Sequence, residues 1–377
     1  VDFDFQWLLV GLPVAFALGW LASRFDLRQV RRDNRDAPRA YFKGLNLLLN
    51  EQQDKAIDAF IEAVQNDPDT TELHFALGNL FRRRGEFERA VRVHEHLLNR
   101  ADLKAGDHDR AQHELAQDFM KAGLFDRAEA AYRALDGTTF AGDARLALLS
   151  LYERSRDWRN AADVAAQLEV AGNGSFASRI AHYACELALE ADQQGHPEEA
   201  DKQLRRAREA APLAPRPLVL AGQRLAQAGQ HAQALQVWDE LRQHRPAAFI
   251  LVAGAYADSA IACGHEEAAR EALTALFQTL PALDLLRALE RLGAAPPLLP
   301  YLRQHPTLSA AQQWLTQTAA DWTEEGASAV RDAIGRAAKP LQRYRCAACG
   351  FEAQHYFWQC PGCLSWDSYP PQRIEEL

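Results

Sequence analysis

"LHFALGNLFRRRGEFERAVRVHEHLLNR", Leu73 to Arg100, is the stretch whose reading decides the fold. Set beside the earlier "YFKGLNLLLNEQQDKAIDAFIEAVQNDP", Tyr41 to Pro68, it shows the same layout at an offset of 34 residues: Gly44 answers Gly78, and Ala56 answers Ala90. The alanine then recurs at Ala128, Ala161, Ala200, Ala234 and Ala269, in steps of 38, 33, 39, 34 and 35. The long steps put extra residues in loops such as "RADLKAGDHDR", which starts at Arg100. Five residues before most of these alanines stands a glycine: Gly85, Gly123, Gly195, Gly229 and Gly264, with Glu51 and Arg156 as the exceptions. Four residues after comes a bulky side chain in most units: Phe60, His94, Tyr132, Leu204, Trp238 and Leu273. Pro68, Pro212, Pro246 and Pro281 close units.

Each choice has a physical reason. The alanine lets two antiparallel helices approach closely. The glycine permits the tight turn between them. The bulky residue is expected to fill the space beside the neighbouring unit, and proline ends a helix it cannot continue. The series resembles tetratricopeptide repeats over residues 40–281, about seven units. One such unit cannot bury its apolar face alone, so units stack into a superhelical solenoid with a concave surface. On that geometry the first helix of each unit lines the groove, which points to Asn79, Arg82, His113 and Gln117 as partner-facing candidates. Residues 282–340 keep helical apolar spacing without the repeat and read as a degenerate cap. Cys185 and Cys263 fall on repeat helices and are expected to be buried structural thiols.

Before the repeats, "FQWLLVGLPVAFALGWLA", Phe5 to Ala22, runs 18 residues without a charge. A helix of that length spans roughly 27 Å, enough for a bilayer core. Trp7 and Trp20 sit near its ends, where amphipathic rings favour the headgroup zone. Residues 1–23 are therefore expected to form a single transmembrane anchor. Residues 24–39 carry Arg24, Arg28, Arg31, Arg32, Arg35 and Arg39, so they read as a basic juxtamembrane linker that keeps the body cytoplasmic. The overall charge of −9 argues against a general nucleic-acid binder.

Four of the six cysteines lie in "YRCAACGFEAQHYFWQCPGCLSWDSYPP", Tyr344 to Pro371. Cys346 and Cys349, then Cys360 and Cys363, form two C-x-x-C pairs with ten residues between them. Two such pairs facing one another make a tetrahedral site for one metal ion. Gly350 and Gly362 are expected to allow the turns around the sulfurs. Residues 341–377 are too few to bury a core of their own, and metal binding supplies the missing stability. Disulfides are disfavoured in a reducing cytoplasm. The all-sulfur set suits zinc or a single iron. The surrounding aromatics exceed what so small a module can bury, so some are expected to pack on the helical array. Three arginines against four acids in this module give no nucleic-acid footprint.

No phosphate-binding loop, G-x-S-x-G, G-x-G-x-x-G or H-E-x-x-H motif is present in the sequence. The order of parts instead resembles the lipopolysaccharide assembly protein B family: an anchor, an arginine-rich stretch, repeats with "QQDKAIDAF" and "LGNLFRRRGE", and a terminal "CxxCG…CPxC…WDS" knuckle of rubredoxin type. The resemblance implies an all-α solenoid with a small rubredoxin-like, zinc-ribbon module, at the bacterial inner membrane and facing the cytoplasm. It implies Cys346, Cys349, Cys360 and Cys363 as metal ligands, with iron as the family's ion and zinc still open on chemistry. It implies a non-enzymatic adaptor that regulates lipopolysaccharide synthesis. Its expected partners are a membrane-anchored AAA protease and the deacetylase committed to lipid A synthesis. A scaffold of the lipopolysaccharide export machinery is the neighbouring alternative, an iron or redox sensor or a nucleic-acid module the more distant ones. Homo-oligomerisation stays open.

Overall fold

The computed structural model describes residues 52–66, 70–295, 297–305, 307–317 and 324–377, together with positions 16, 20, 43, 44, 46 and 47. The expected anchor and basic linker lie outside the described residues apart from Phe16 and Trp20, which are helical and exposed. The chain divides into two compact units, Val1–Ser155 and Arg156–Leu377.

In the first unit the helices are α1 (Gln53–Asn66), α2 (Thr71–Arg83), α3 (Phe87–Leu98), α4 (Ala105–Ala122), α5 (Phe125–Arg133) and α6 (Ala141–Ser155). In the second they are α7 (Trp158–Val170), α8 (Ala177–Gln193), α9 (Pro197–Ala210), α10 (Pro215–Gln227), α11 (His231–His244), α12 (Pro246–Phe249), α13 (Ala253–Cys263), α14 (Glu266–Thr279), α15 (Leu283–Arg291), α16 (Leu298–Gln304), α17 (Leu308–Gln317) and α18 (Glu324–Ala338). Sequential helices pack as antiparallel hairpins within each unit, and the fold class is the all-α tetratricopeptide solenoid with a rubredoxin-like module. The only strands among the described residues are β1 (Tyr344–Arg345) and β2 (Glu352–Ala353), paired antiparallel in that module.

The repeat alanines are buried without exception, from Ala56 to Ala269. The turn glycines Gly85, Gly123, Gly195, Gly229 and Gly264 all hold φ between 74° and 79°. The amide after each closes onto the carbonyl five residues back, as Glu86 does onto Phe81 and Gln230 onto Leu225. That is the left-handed helix end for which glycine carries no steric penalty. Arg156, the exception in the fourth repeat, adopts the same conformation at φ 58° despite its Cβ.

The bulky residue packs inside its own hairpin, and at His94 it also reaches the neighbouring unit, as expected, through Asp118 of α4. A Cβ on Gly44 would lie within 2.8 Å of the Phe60 ring, one on Gly78 within 2.4 Å of His94, and one on Gly222 within 2.2 Å of Trp238. The pairing of no side chain against a large one is what sets the helix separation.

Among the described residues one helical stretch, Pro246–Cys263, is long and apolar enough to cross a membrane by length and composition. Phe249, Val252, Ala253, Tyr256 and Ala257 within it belong to the buried core of the second unit, which accounts for its apolar character. Of the two isolated cysteines, Cys185 is fully buried and desolvation pushes its thiol up to about 12. Cys263 is only partly buried: it ends α13, packs against the core of the second unit and has Sγ 3.2 Å from His265 Nδ1.

Candidate metal centre

The knuckle begins where β1 and β2 bring the first C-x-x-C turn back on itself. Cys346 N–H donates to Phe351 O and Gly350 N–H to Cys346 O, with Gly350 at φ 78°. The second turn repeats this closure from Leu364 N–H to Cys360 O, 2.8 Å. There the left-handed residue is Leu364, at φ 60°. Gly362 therefore does not serve as the turn glycine expected from the sequence. It lacks a side chain because a Cβ there would come within 3.2 Å of the Phe351 ring.

These two turns bring the four thiols together, all Sγ atoms lying within 4.8 Å of one another. Cys346 and Cys363 are 3.8 Å apart and Cys349 and Cys360 3.7 Å. A tetrahedron with metal–sulfur bonds of about 2.3 Å has edges of about 3.8 Å, so the donor set fits one four-thiolate ion. Cys346 and Cys360 form the buried base, while Cys349 and Cys363 reach the surface.

The electrostatics point the same way. Against the opposing effect of burial, the Ser368 hydroxyl 3.2 Å away and the amides of Cys349 and Ala348 draw the Cys346 thiol down to about 6. Ser365 lowers Cys363 by the same kind of contact, with Oγ 3.3 Å from Sγ. At Cys349 the Phe351 amide favours the thiolate, yet desolvation and the bonds shared with Cys363, Cys360 and Cys346 push it up to about 12. Four adjacent sulfurs cannot all carry charge without a cation between them, and hydroxyl and amide donors are already aimed at the thiolates.

The module is seated on the repeats of the second unit. Trp366 stacks on His182 of α8 at 4.6 Å and meets Trp158 and Tyr183 edge-on. Asp367 Oδ2 receives His182 Nε2–H at 2.9 Å and Ser178 Oγ–H at 3.1 Å. Although desolvation opposes ionisation there, the His182 and Ser178 donors hold the Asp367 carboxyl below the usual carboxylate range. Trp358 packs against the apolar core and 5.8 Å from the Arg216 guanidinium, itself tied to Glu186. At the tail, Glu376 accepts from Leu283 N–H at the start of α15, and Glu375 from Ser309 N–H in the first turn of α17. Carboxylates at helix N-termini satisfy amides that have no partner within the helix. Part of the expected aromatic packing thus takes place, while Phe351 and Phe357 remain exposed.

The partner-facing candidates lie in the first unit. Arg82 is held internally, with Nη1 on Asp118 Oδ1 at 2.9 Å and Nη2 on Glu114 Oε2 and Asn79 Oδ1, both at 2.5 Å. His113 stacks on Phe140 at 4.9 Å, with Gln117 Nε2 3.4 Å from its ring nitrogens. Desolvation lowers the His113 pKa and favours its neutral form. Sequence reasoning missed the centre of this network, Asp118, which is fully buried and also bonds His94 Nδ1 at 2.5 Å. The available signal was an acid set among the apolar positions Leu115, Ala116 and Phe119 of α4.

Hairpin repeats joined to a four-thiol knuckle define a tetratricopeptide-repeat protein with a rubredoxin-like metal module. Residues 344–370 match the rubredoxin metal-binding domain family and residues 73–111 the tetratricopeptide repeat. Lipopolysaccharide assembly protein B of Escherichia coli K12 is 32% identical over 97% of this chain and 98% of its own length. That of Haemophilus influenzae is 27% identical over 98% of both. A solved tetratricopeptide repeat protein from Parabacteroides merdae covers 68% of the chain with a TM-score of 0.34 at 14% identity. The chain belongs to the lipopolysaccharide assembly protein B family.

Proposed function

We propose that this chain is a non-enzymatic inner-membrane adaptor that limits lipopolysaccharide synthesis. Residues 1–23 anchor it, residues 24–39 face anionic headgroups, and the repeats and knuckle work in the cytoplasm. It brings the lipid A-committing deacetylase to a membrane-anchored AAA protease. Anchoring confines both encounters to the membrane plane and raises effective concentration without any new contact.

The observation that supports this reading best is the knuckle itself. Four thiols facing one another, seated on a repeat helix by Trp366 and Asp367, suit a closed structural site rather than a hydrolytic one. On this reading Cys346, Cys349, Cys360 and Cys363 hold one ion, iron by resemblance or zinc by chemistry. The ion supplies cross-linking of two turns; the chain's own residues supply the docking. The half-life of the deacetylase, followed after translation arrest, tests the proposal. It should lengthen several-fold when the chain is deleted and when Cys346 and Cys349 are both replaced by serine. A half-life indifferent to deletion would leave the adaptor reading without support. The relatives' name also fits a scaffold for lipopolysaccharide assembly. That alternative predicts an unchanged half-life with defective assembly.

A further inference from the structure

Where the knuckle meets the repeat loops of the second unit there is a cleft of about 860 Å³. Its floor is the α9–α10 loop, including Pro212 and Leu213, and the start of α12 at Pro246; its wall is Tyr356 and Trp358 of the knuckle. Proline and alanine dominate the loops, so the surface is apolar and rigid and loses little side-chain entropy on contact. Leu213 stands 58% exposed on it. Aromatic and proline-lined grooves suit extended peptide segments, and tryptophan and tyrosine are the commonest anchors of such contacts.

One cation faces this surface without a counter-charge. Arg245 donates Nε–H to Leu213 O at 3.0 Å, which fixes the guanidinium at the cleft. No carboxylate pairs with it among the described residues, whereas Arg208, Arg216 and Arg242 each have one, in Glu240, Glu186 and Asp239. Asp367, the acid that lines the cleft, is already bonded to His182 and Ser178. The free Nη donors are a fork that matches a carboxylate.

We infer that this cleft is a docking groove for an extended, apolar peptide segment of a partner polypeptide, oriented by one carboxylate on Arg245. The inference rests on the adaptor reading and adds the chemistry of one docked segment. Its test needs no physiological client. A random heptapeptide library displayed on phage is panned against the metal-loaded full-length chain, and the enriched peptides are synthesised for titration. The expected consensus is apolar with a single Asp or Glu. Arg245→Gln should weaken binding by about tenfold or more, and Leu213→Ser should weaken it as well, both at unchanged metal content and near-ultraviolet circular dichroism. No enrichment, a consensus without an acid, or affinity indifferent to Arg245→Gln would overturn the proposal. So would Arg245-dependent binding of decanoate without any peptide, or a concentration-dependent dimer abolished by Leu213→Ser. If the groove fails while the deacetylase half-life still depends on the chain, only this inference falls.

Discussion

Single residues hold the knuckle's geometry, and two of them, Leu364 at φ 60° and Asp367 at φ 52°, do so in a left-handed backbone against their own preference. Leu364 occupies the left-handed position that Gly350 fills in the first turn. Gly350→Ala should lower stability by about 1 kcal/mol, while Leu364→Gly should leave it unchanged or raise it, since left-handed backbone penalises only residues with a Cβ. Chelator competition on the metal-loaded protein reads both effects, and a Leu364→Gly variant that releases its ion more easily would contradict the assignment. Asp367 adds a pH dependence. Its folded pKa is depressed, so its contribution is complete above the unfolded value near pH 4 and is lost as pH falls through the folded one. Thermal denaturation should accordingly find the parent chain more stable than Asp367→Asn at pH 7, with the gap closing in acid. A gap constant with pH would mean that the carboxyl's charge is not what matters.

Elements show how far sequence carried the reading and where it stopped. The hairpins were legible because helix ends are local: a left-handed glycine, a buried alanine and a closing proline all act within a few residues. The four thiols were legible because ligand spacing is local too. What escaped was pairing across elements. Nothing in "ELAQDFM" announces that Asp118 sits beneath both His94 on α3 and Arg82 on α2. Likewise the left-handed turn position expected at Gly362 falls to Leu364, while Gly362 makes room for the Phe351 ring from the other turn. The Asp118 network makes a sharp prediction. Asp118→Ala leaves His94 and Arg82 without their shared anion and should destabilise the first unit by about 3 kcal/mol. Chemical denaturation followed by far-ultraviolet circular dichroism measures it; a cost below about 1 kcal/mol, the worth of an exposed pair, would show the network to be incidental.

At the scale of the whole molecule, the second unit combines two kinds of cohesion. Apolar burial runs from helix to helix along the repeats, whereas the knuckle fastens α8 and the N-termini of α15 and α17 through a few polar and aromatic contacts. The central claim is that an ion held by four thiolates keeps this fastening in place, since so short a segment buries only Tyr344, Tyr369 and the ligands Cys346 and Cys360 as a core. Hydrogen exchange on the full-length chain, before and after removal of its metal, tests that claim most directly. Metal removal should abolish protection across residues 344–371 and reduce it along α8, while helices of the first unit exchange as before. Protection at residues 344–371 and at α8 that is indifferent to the ion would contradict the account.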